Sequence, residues 1–149
     1  MKKHLRVASC QFPVSEEVAK NAGYIGGYMK QAHEAWAHLL HTSEACLSGY
    51  AGSDFDSFSG FDWDLLRGET DRLRRLAKEL GIWLILGSSH FLDDDVKPTN
   101  CLYVVTPKGR IVDRYDKCMC TTTDQKAYSA GNRLVSRTIN GVEVGFAIC

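Results

Sequence analysis

Residues 82–92 read IWLILGSSHFL. The run is almost wholly apolar or small, and it carries no acid, lysine or arginine. A strand with one wet face alternates apolar and polar residues, so an unbroken run of this kind reads as a strand buried on both faces. Such a strand needs a packing layer on each side. That requirement constrains the chain more than any other feature, and it points to a layered α/β fold.

The flanking segments supply some of those layers. Residues 69–81 (ETDRLRRLAKELG) predict a helix with Leu73, Leu76, Ala77 and Leu80 on one face. Thr70 or Glu69 can serve its start, and Gly81 suits its end. Residues 16–37 predict a second helix, with Val18, Ala22, Ile25, Met29, Ala32 and Trp36 three or four apart. Gly26 and Gly27 weaken it. Strands are predicted at 5–12 and 37–44. A Gly/Ser/Asp-rich loop with aromatic residues spans 45–60, and loops of that length are often functional.

After the apolar run comes a turn at 93–98. Residues 100–117 then predict a hairpin about Pro107-Lys108-Gly109. A loop or short helix covers 118–132. Strands at 133–139 and 142–148 flank Asn140-Gly141, a strong hairpin turn. The order β-α-β-α-β-β-β-loop-β-β is mixed α/β, with helices able to cover one face of a sheet. The other face is also apolar and is expected to lie bare.

The 149 residues, 44% of them hydrophobic, suit one domain over 1–149. Lys plus Arg and Asp plus Glu both number 18, which leaves no electrostatic footprint for nucleic acid or an anionic membrane. The basic run Arg72, Arg74, Arg75, Lys78 sits beside Glu69, Asp71 and Glu79 and reads as a solvated helix face. The start MKKHLRVASCQFPV is too short and interrupted in its apolar part for a signal peptide, and no segment approaches a membrane span. Six cysteines without a signal suggest reduced thiols and a cytoplasmic location. Cys118 and Cys120 with His38 and His41 could be imagined as a zinc site, but the spacing is wrong for common knuckles.

Glu44, Lys117 and Cys149 each fall at the end of a predicted strand, where the reactive rim of such sheets forms. An ammonium beside a thiol favours the thiolate. It can then stabilise the oxyanion formed when that thiolate attacks a carbonyl. A carboxylate can take and return protons. Position alone leaves the bland alternative open: a surface Glu, a surface Lys and an inert core Cys.

Local words go further. Residues 7–14 (VASCQFPV), Asn21, 39–50 (LLHTSEACLSGY), 100–117 (NCLYVVTPKGRIVDRYDK), 128–132 (YSAGN) and 141–149 (GVEVGFAIC) appear in the order and with gaps similar to those of the carbon–nitrogen hydrolase (nitrilase) superfamily. The chain resembles that family over nearly its whole length. The resemblance implies a four-layer α-β-β-α sandwich, of which this chain would be the N-terminal half ending at the nucleophile. It implies Glu44 as general base and acid, Lys117 as oxyanion stabiliser and Cys149 as nucleophile. Asp124 stands where the family has a second glutamate, one methylene longer, and Ser43 stands where it usually has proline. Tyr50, Asp54, Phe55 and Tyr128 are the candidate pocket residues.

The implied activity is hydrolysis of a non-peptide C–N bond in a small amide, carbamoyl compound or nitrile through a thioester, with amides favoured and no metal or organic cofactor needed. Homo-oligomers are implied, through helices that follow the nucleophile. A chain ending at Cys149 would lack the next backbone N–H, the family's second oxyanion donor, and is expected to be nearly inactive. The alternative from another class is a non-catalytic remnant that serves as a binding or assembly module.

Overall fold

The computed structural model describes residues 4–93 and 95–149. Residues 1–3 of the basic N-terminal run, and Asp94 within the predicted 93–98 turn, lie outside the described residues. A five-stranded sheet runs in the order β1 (Val7–Ser9), β2 (Leu39–His41), β3 (Trp83–His90), β4 (Thr99–Val105) and β5 (Ile111–Asp116). β1, β2 and β3 are parallel, while β4 is antiparallel to both β3 and β5. The ends of β1, β2, β3 and β5 and the start of β4 therefore share one edge of the sheet.

The helices are α1 (Val18–Glu34), α2 (Trp63–Leu80) and the short α3 (Asp124–Ala127). α2 begins before the predicted start at 69. Its N-cap is Asp62, whose Oδ1 accepts the Leu65 N–H at 2.8 Å, so neither Glu69 nor Thr70 starts it. The apolar pattern of 69–81 continues backwards through Leu66, which is buried, and Gly68 lies in the interior without ending the helix. The predicted strands at 5–12 and 37–44 shrink to three residues each, because β1 and β2 pair only over Val7–Ser9 and Leu39–His41.

β3 carries a core on both faces, as its sequence requires. Leu84 and Leu86 join Leu40, Cys101, Tyr103 and Val105 beneath the helices, against Ile25, Met29, Leu73 and Ala77. Ile85 points to the opposite side, with Leu39, Leu102, Val104 and Tyr115. The expectation that this second face lies bare is corrected here. A separate hairpin, β6 (Val135–Ile139) and β7 (Val142–Phe146), packs Val135, Ile139, Phe146 and Ile148 onto it. Asp113 of β5 anchors the hairpin by accepting from Arg133 (2.5 Å) and Arg137 (2.8 Å). The Asn140-Gly141 turn has both residues at positive φ, 49° and 79°, as a tight two-residue hairpin turn requires.

Candidate active site

The edge shared by the strand ends is where the chain concentrates its buried polar groups. After β2 the backbone crosses over β3 and is clamped there. The Thr42 N–H and Oγ1 both donate to the Ile85 carbonyl, at 3.0 and 3.1 Å, and Thr42 Oγ1 accepts the Gly87 N–H at 2.9 Å. The Leu47 N–H donates to the Gly87 carbonyl at 3.0 Å. Between these clamps the chain lies so close to β3 that a Cβ on Gly87 would stand 2.0 Å from the Ser43 carbonyl oxygen. Only glycine fits there. Ala45 follows with φ 50° and is fully buried, a strained conformation for a residue with a side chain. The segment that presents Glu44 is therefore held in place by backbone clamps, with no proline at position 43. Asn21 adds a further tie, donating from Nδ2 to the carbonyls of Ser15 (2.7 Å) and Leu47 (3.2 Å).

Lys117 follows β5 directly. Its N–H donates to the Asn100 carbonyl at 2.8 Å, and its own carbonyl accepts the Gly131 N–H at 2.9 Å. A Cβ on Gly131 would meet the Asp116 carbonyl oxygen at 2.3 Å, which gives the glycine of the Tyr128-x-x-Gly131 word a steric reason. Asp124 opens α3, where Oδ2 accepts the Thr121 N–H at 2.8 Å.

Three charged side chains meet. Lys117 Nζ lies 2.9 Å from Glu44 Oε1 and 3.0 Å from Asp124 Oδ2. The Lys117 and Asp124 side chains are 3% and 1% exposed, whereas Glu44 keeps 32% of its side chain open. Tyr50 OH donates to Asp124 Oδ1, and the Tyr50 ring centroid is 5.8 Å from Lys117 Nζ. Asn100, fully buried, donates from Nδ2 to Glu44 Oε1 at 2.6 Å. Asp124 is thus long enough to hold Lys117, and each of its oxygens is engaged.

The titration behaviour follows from these contacts. Burial works to lower the Lys117 pKa, but Glu44 and Asp124 outweigh it and push the value well above the ordinary lysine range. Burial works to raise the Asp124 pKa, and the bonds from Tyr50, the Thr121 backbone and Lys117 reverse this and hold it at about 2. Tyr50 is pushed up to about 12, by burial first and then by its bond to Asp124. Lys117 is accordingly a fixed cation. It can donate to a developing anion, but it is a poor base.

The remaining sequence-predicted residues are placed differently. Tyr128 is buried, and its OH accepts the Ala51 N–H at 2.9 Å. Asp54 closes a turn, with Oδ2 accepting the Tyr50 N–H at 2.8 Å. Phe55 packs edge-on against Phe58 and at a tilt against Phe61. Cys149 is exposed and follows Ile148, which packs under the hairpin. Among the described residues it makes no hydrogen bond to Glu44, Lys117 or Asp124. The β6–β7 hairpin nevertheless lies on the sheet face toward which Asn100, Leu102 and Val104 point.

Asn100, Thr42 and Gly87 were not singled out from sequence. An isolated glycine inside an apolar strand was the available signal for Gly87, since it marks a close backbone approach. A cavity of about 240 Å³ lined by Trp63, Leu66, Phe91 and Tyr103 lies against α2, apart from the charged cluster. Among the described residues no group of three or more His, Cys, Asp and Glu side chains is arranged to hold a metal. His38 and Cys118, imagined as zinc ligands, bond instead to the Arg6 N–H and the Asp116 carbonyl. No described helix is long and apolar enough to cross a membrane.

The profile of the family described as Carbon-nitrogen hydrolase matches residues 6–149. The chain belongs to the carbon–nitrogen hydrolase family. A search of curated proteins finds no match. Among solved structures, this carbon–nitrogen hydrolase chain is similar to an amidase from Nesterenkonia sp., with TM-score 0.87, 20% identity, 99% of this chain and 56% of that chain covered. It is likewise similar to a cysteine-to-alanine mutant of the amidase from Nesterenkonia sp. AN1 in complex with butyramide, with TM-score 0.86, 20% identity and coverage of 97% and 56%. A glutamate-to-leucine mutant of that amidase, showing covalent addition of the acetamide moiety of fluoroacetamide at the active site cysteine, matches with TM-score 0.87 at 19% identity, with 99% and 56% covered. The likeness establishes the nitrilase-like α/β fold. The chain spans 56% of the length of the amidase it matches.

Proposed function

We propose that the protein hydrolyses the C–N bond of a small amide, with a carbamoyl compound or nitrile as the neighbouring possibility, through a Cys149 thioester. The observation that carries this is the buried ammonium of Lys117 held between Glu44 and Asp124. In this scheme Glu44 takes the thiol proton and Cys149 Sγ attacks the amide carbon. Lys117 keeps its proton and stabilises the charge that develops on oxygen. Glu44 returns the proton to the departing amine, which leaves a thioester. Glu44 then takes a proton from water, the hydroxide equivalent attacks, and the acid leaves as Cys149 regains its proton. Asp124, fully engaged with Lys117, Tyr50 and Thr121, holds the ammonium rather than the substrate. Tyr50 and Tyr128 bound the site, whereas Asp54 and Phe55 shape the loop behind it.

The amidase structures with butyramide and with the acetamide moiety of fluoroacetamide support small aliphatic amides as the class to test first. We further infer that the protein works as a cytoplasmic homo-oligomer and engages neither nucleic acid nor membrane, in keeping with its balanced charge. A chain that stopped at Cys149 would lack one oxyanion donor, which typically costs ~10²–10³ in rate. The deciding experiment is an ammonia-release screen over small amides with the full chain and its Cys149→Ala variant. The variant should release no ammonia and melt at the parent temperature. Turnover that survives the change would remove Cys149 as nucleophile. The remnant reading rests on Ser43 and Asp124, which stand where the family usually has proline and glutamate, and a full chain that hydrolyses nothing would favour it.

A further inference from the structure

Glu44 Oε1 receives two donors, Lys117 Nζ at 2.9 Å and Asn100 Nδ2 at 2.6 Å. Among the described residues Oε2 receives none, and the Glu44 side chain is the open member of the cluster. Asn100 is fully buried, and its Oδ1 is the one buried side-chain oxygen or nitrogen without a partner among the described residues. A buried amide with one end unpaired costs stability. It persists here with its other end on a carboxylate that the chemistry needs. Asn100 also fixes the Lys117 backbone through its carbonyl, so one residue sets the positions of both the carboxylate and the ammonium.

We propose that Asn100 is a positioning residue for the general base: together with Lys117 it occupies Oε1 of Glu44 and leaves Oε2 as the oxygen that takes and returns the proton. Neither donor needs to move when Glu44 is protonated, because Oε1 remains an acceptor in both states. The proton that leaves the thiol or the water is received on Oε2, and the same proton leaves from Oε2 to the departing amine or thiolate. Asn100→Leu would take one of the two donors from Oε1 and leave Lys117 as the other. The titratable groups around Glu44 are Lys117, Asp124, Tyr50, Tyr128 and Cys120.

The test is Asn100→Leu in the full chain, a near-isosteric change that removes the donor and the unpaired acceptor together. A purely structural role predicts a lower melting temperature and lost activity in step. A positioning role predicts an unchanged or higher melting temperature, a kcat at least ~10-fold lower with KM nearly constant, and an acidic limb of the pH–rate profile moved to higher pH. The kinetic arm rests on the amidase reading above. A second arm does not: ¹³C NMR titration of the Glu44 carboxyl, whose midpoint should rise in Asn100→Leu. It should rise further in Asn100→Asp, because two carboxylates so close cannot both ionise. Absence of ammonia release from the parent protein would sink the amidase reading while the titration still judges Asn100. An unchanged Glu44 midpoint in both variants would overturn the proposal, whatever the activity.

Discussion

Asp124 has both oxygens committed, to Lys117 and Thr121 on one and Tyr50 on the other, and its carboxyl is held at about 2. An ordinary aspartate in the unfolded chain titrates near ~3.9. A folded pKa depressed in this way adds stability that is fully present above pH ~4 and is lost as pH falls through about 2. For so buried a side chain that amounts to roughly 2–3 kcal/mol. Asp124→Asn should therefore be less stable than the parent at pH 7, with the difference shrinking towards pH 2. Urea unfolding at both pH values measures this, and a constant difference would mean that the ion pair is not the source. The same variant should lose turnover, because Lys117 then has one anchor in place of two. The positions of Glu44 and Lys117 were legible because a strand's end can be read from its pattern, whereas Asp124 opens α3 and was reached only through the resemblance, by its spacing from Tyr128. Asn100 was not legible. It sits inside a hairpin word that reads as a strand, and only the register of β4 against β3 and β5 shows which way its amide points. Gly87 carries a sharper expectation. Gly87→Ala would force the Ser43 carbonyl away from β3 and Glu44 with it, at a cost of about 1–3 kcal/mol from overpacking, together with loss of turnover.

On the proposed function, the β6–β7 hairpin is the element that connects packing to chemistry. It covers the second face of the sheet, and Cys149 follows its last buried residue, Ile148. The strands were legible from their alternation and from Asn140-Gly141. Their partner was not, because a hairpin's own pattern says which side is apolar and nothing about what that side meets. The tie that fixes the docking is also tertiary. Asp113 faces Arg133 and Arg137, and although burial works to raise its pKa, the two guanidiniums hold it below the ordinary carboxylate range. Both arginines are substantially solvated, so Asp113→Ala should cost only about 1 kcal/mol of global stability. Its effect should be local. Amide exchange in 135–146 should speed up relative to β3 and β4, and turnover should fall with the looser placement of Cys149. Equal acceleration across the whole sheet would instead mean that the hairpin is not a separately docked unit. α2 shows the converse limit. Its sequence pattern points to a start at 69 because Gly68 and mixed polarity hide the first turn, which the Asp62 cap and the burial of Leu66 reveal.

Across the whole molecule the six free thiols report on which parts open and which are chemically activated. Cys10, Cys46 and Cys101 are buried in the core, and burial pushes their thiols up, to about 11 for Cys10, to about 12 for Cys46 and further for Cys101. Thiolate is the reactive form, so these three should react with iodoacetamide only through unfolding. Cys118 and Cys120 are half-buried, and burial also raises Cys120. Cys149 is the proposed nucleophile, so native protein at pH 7.5 should first take up one adduct, mapped by peptide mass to Cys149. Exposure by itself does not establish activation, and Lys117→Ala separates the two. A thiol activated by the ammonium should lose its rate advantage in that variant, whereas a merely accessible one should react as before. Retained fast labelling in Lys117→Ala would uncouple Cys149 from the Glu44–Lys117–Asp124 cluster and move the reading towards a binding module. Loss of fast labelling, with the core thiols still protected, would tie the hairpin's cysteine to the buried ammonium across the same face of the sheet.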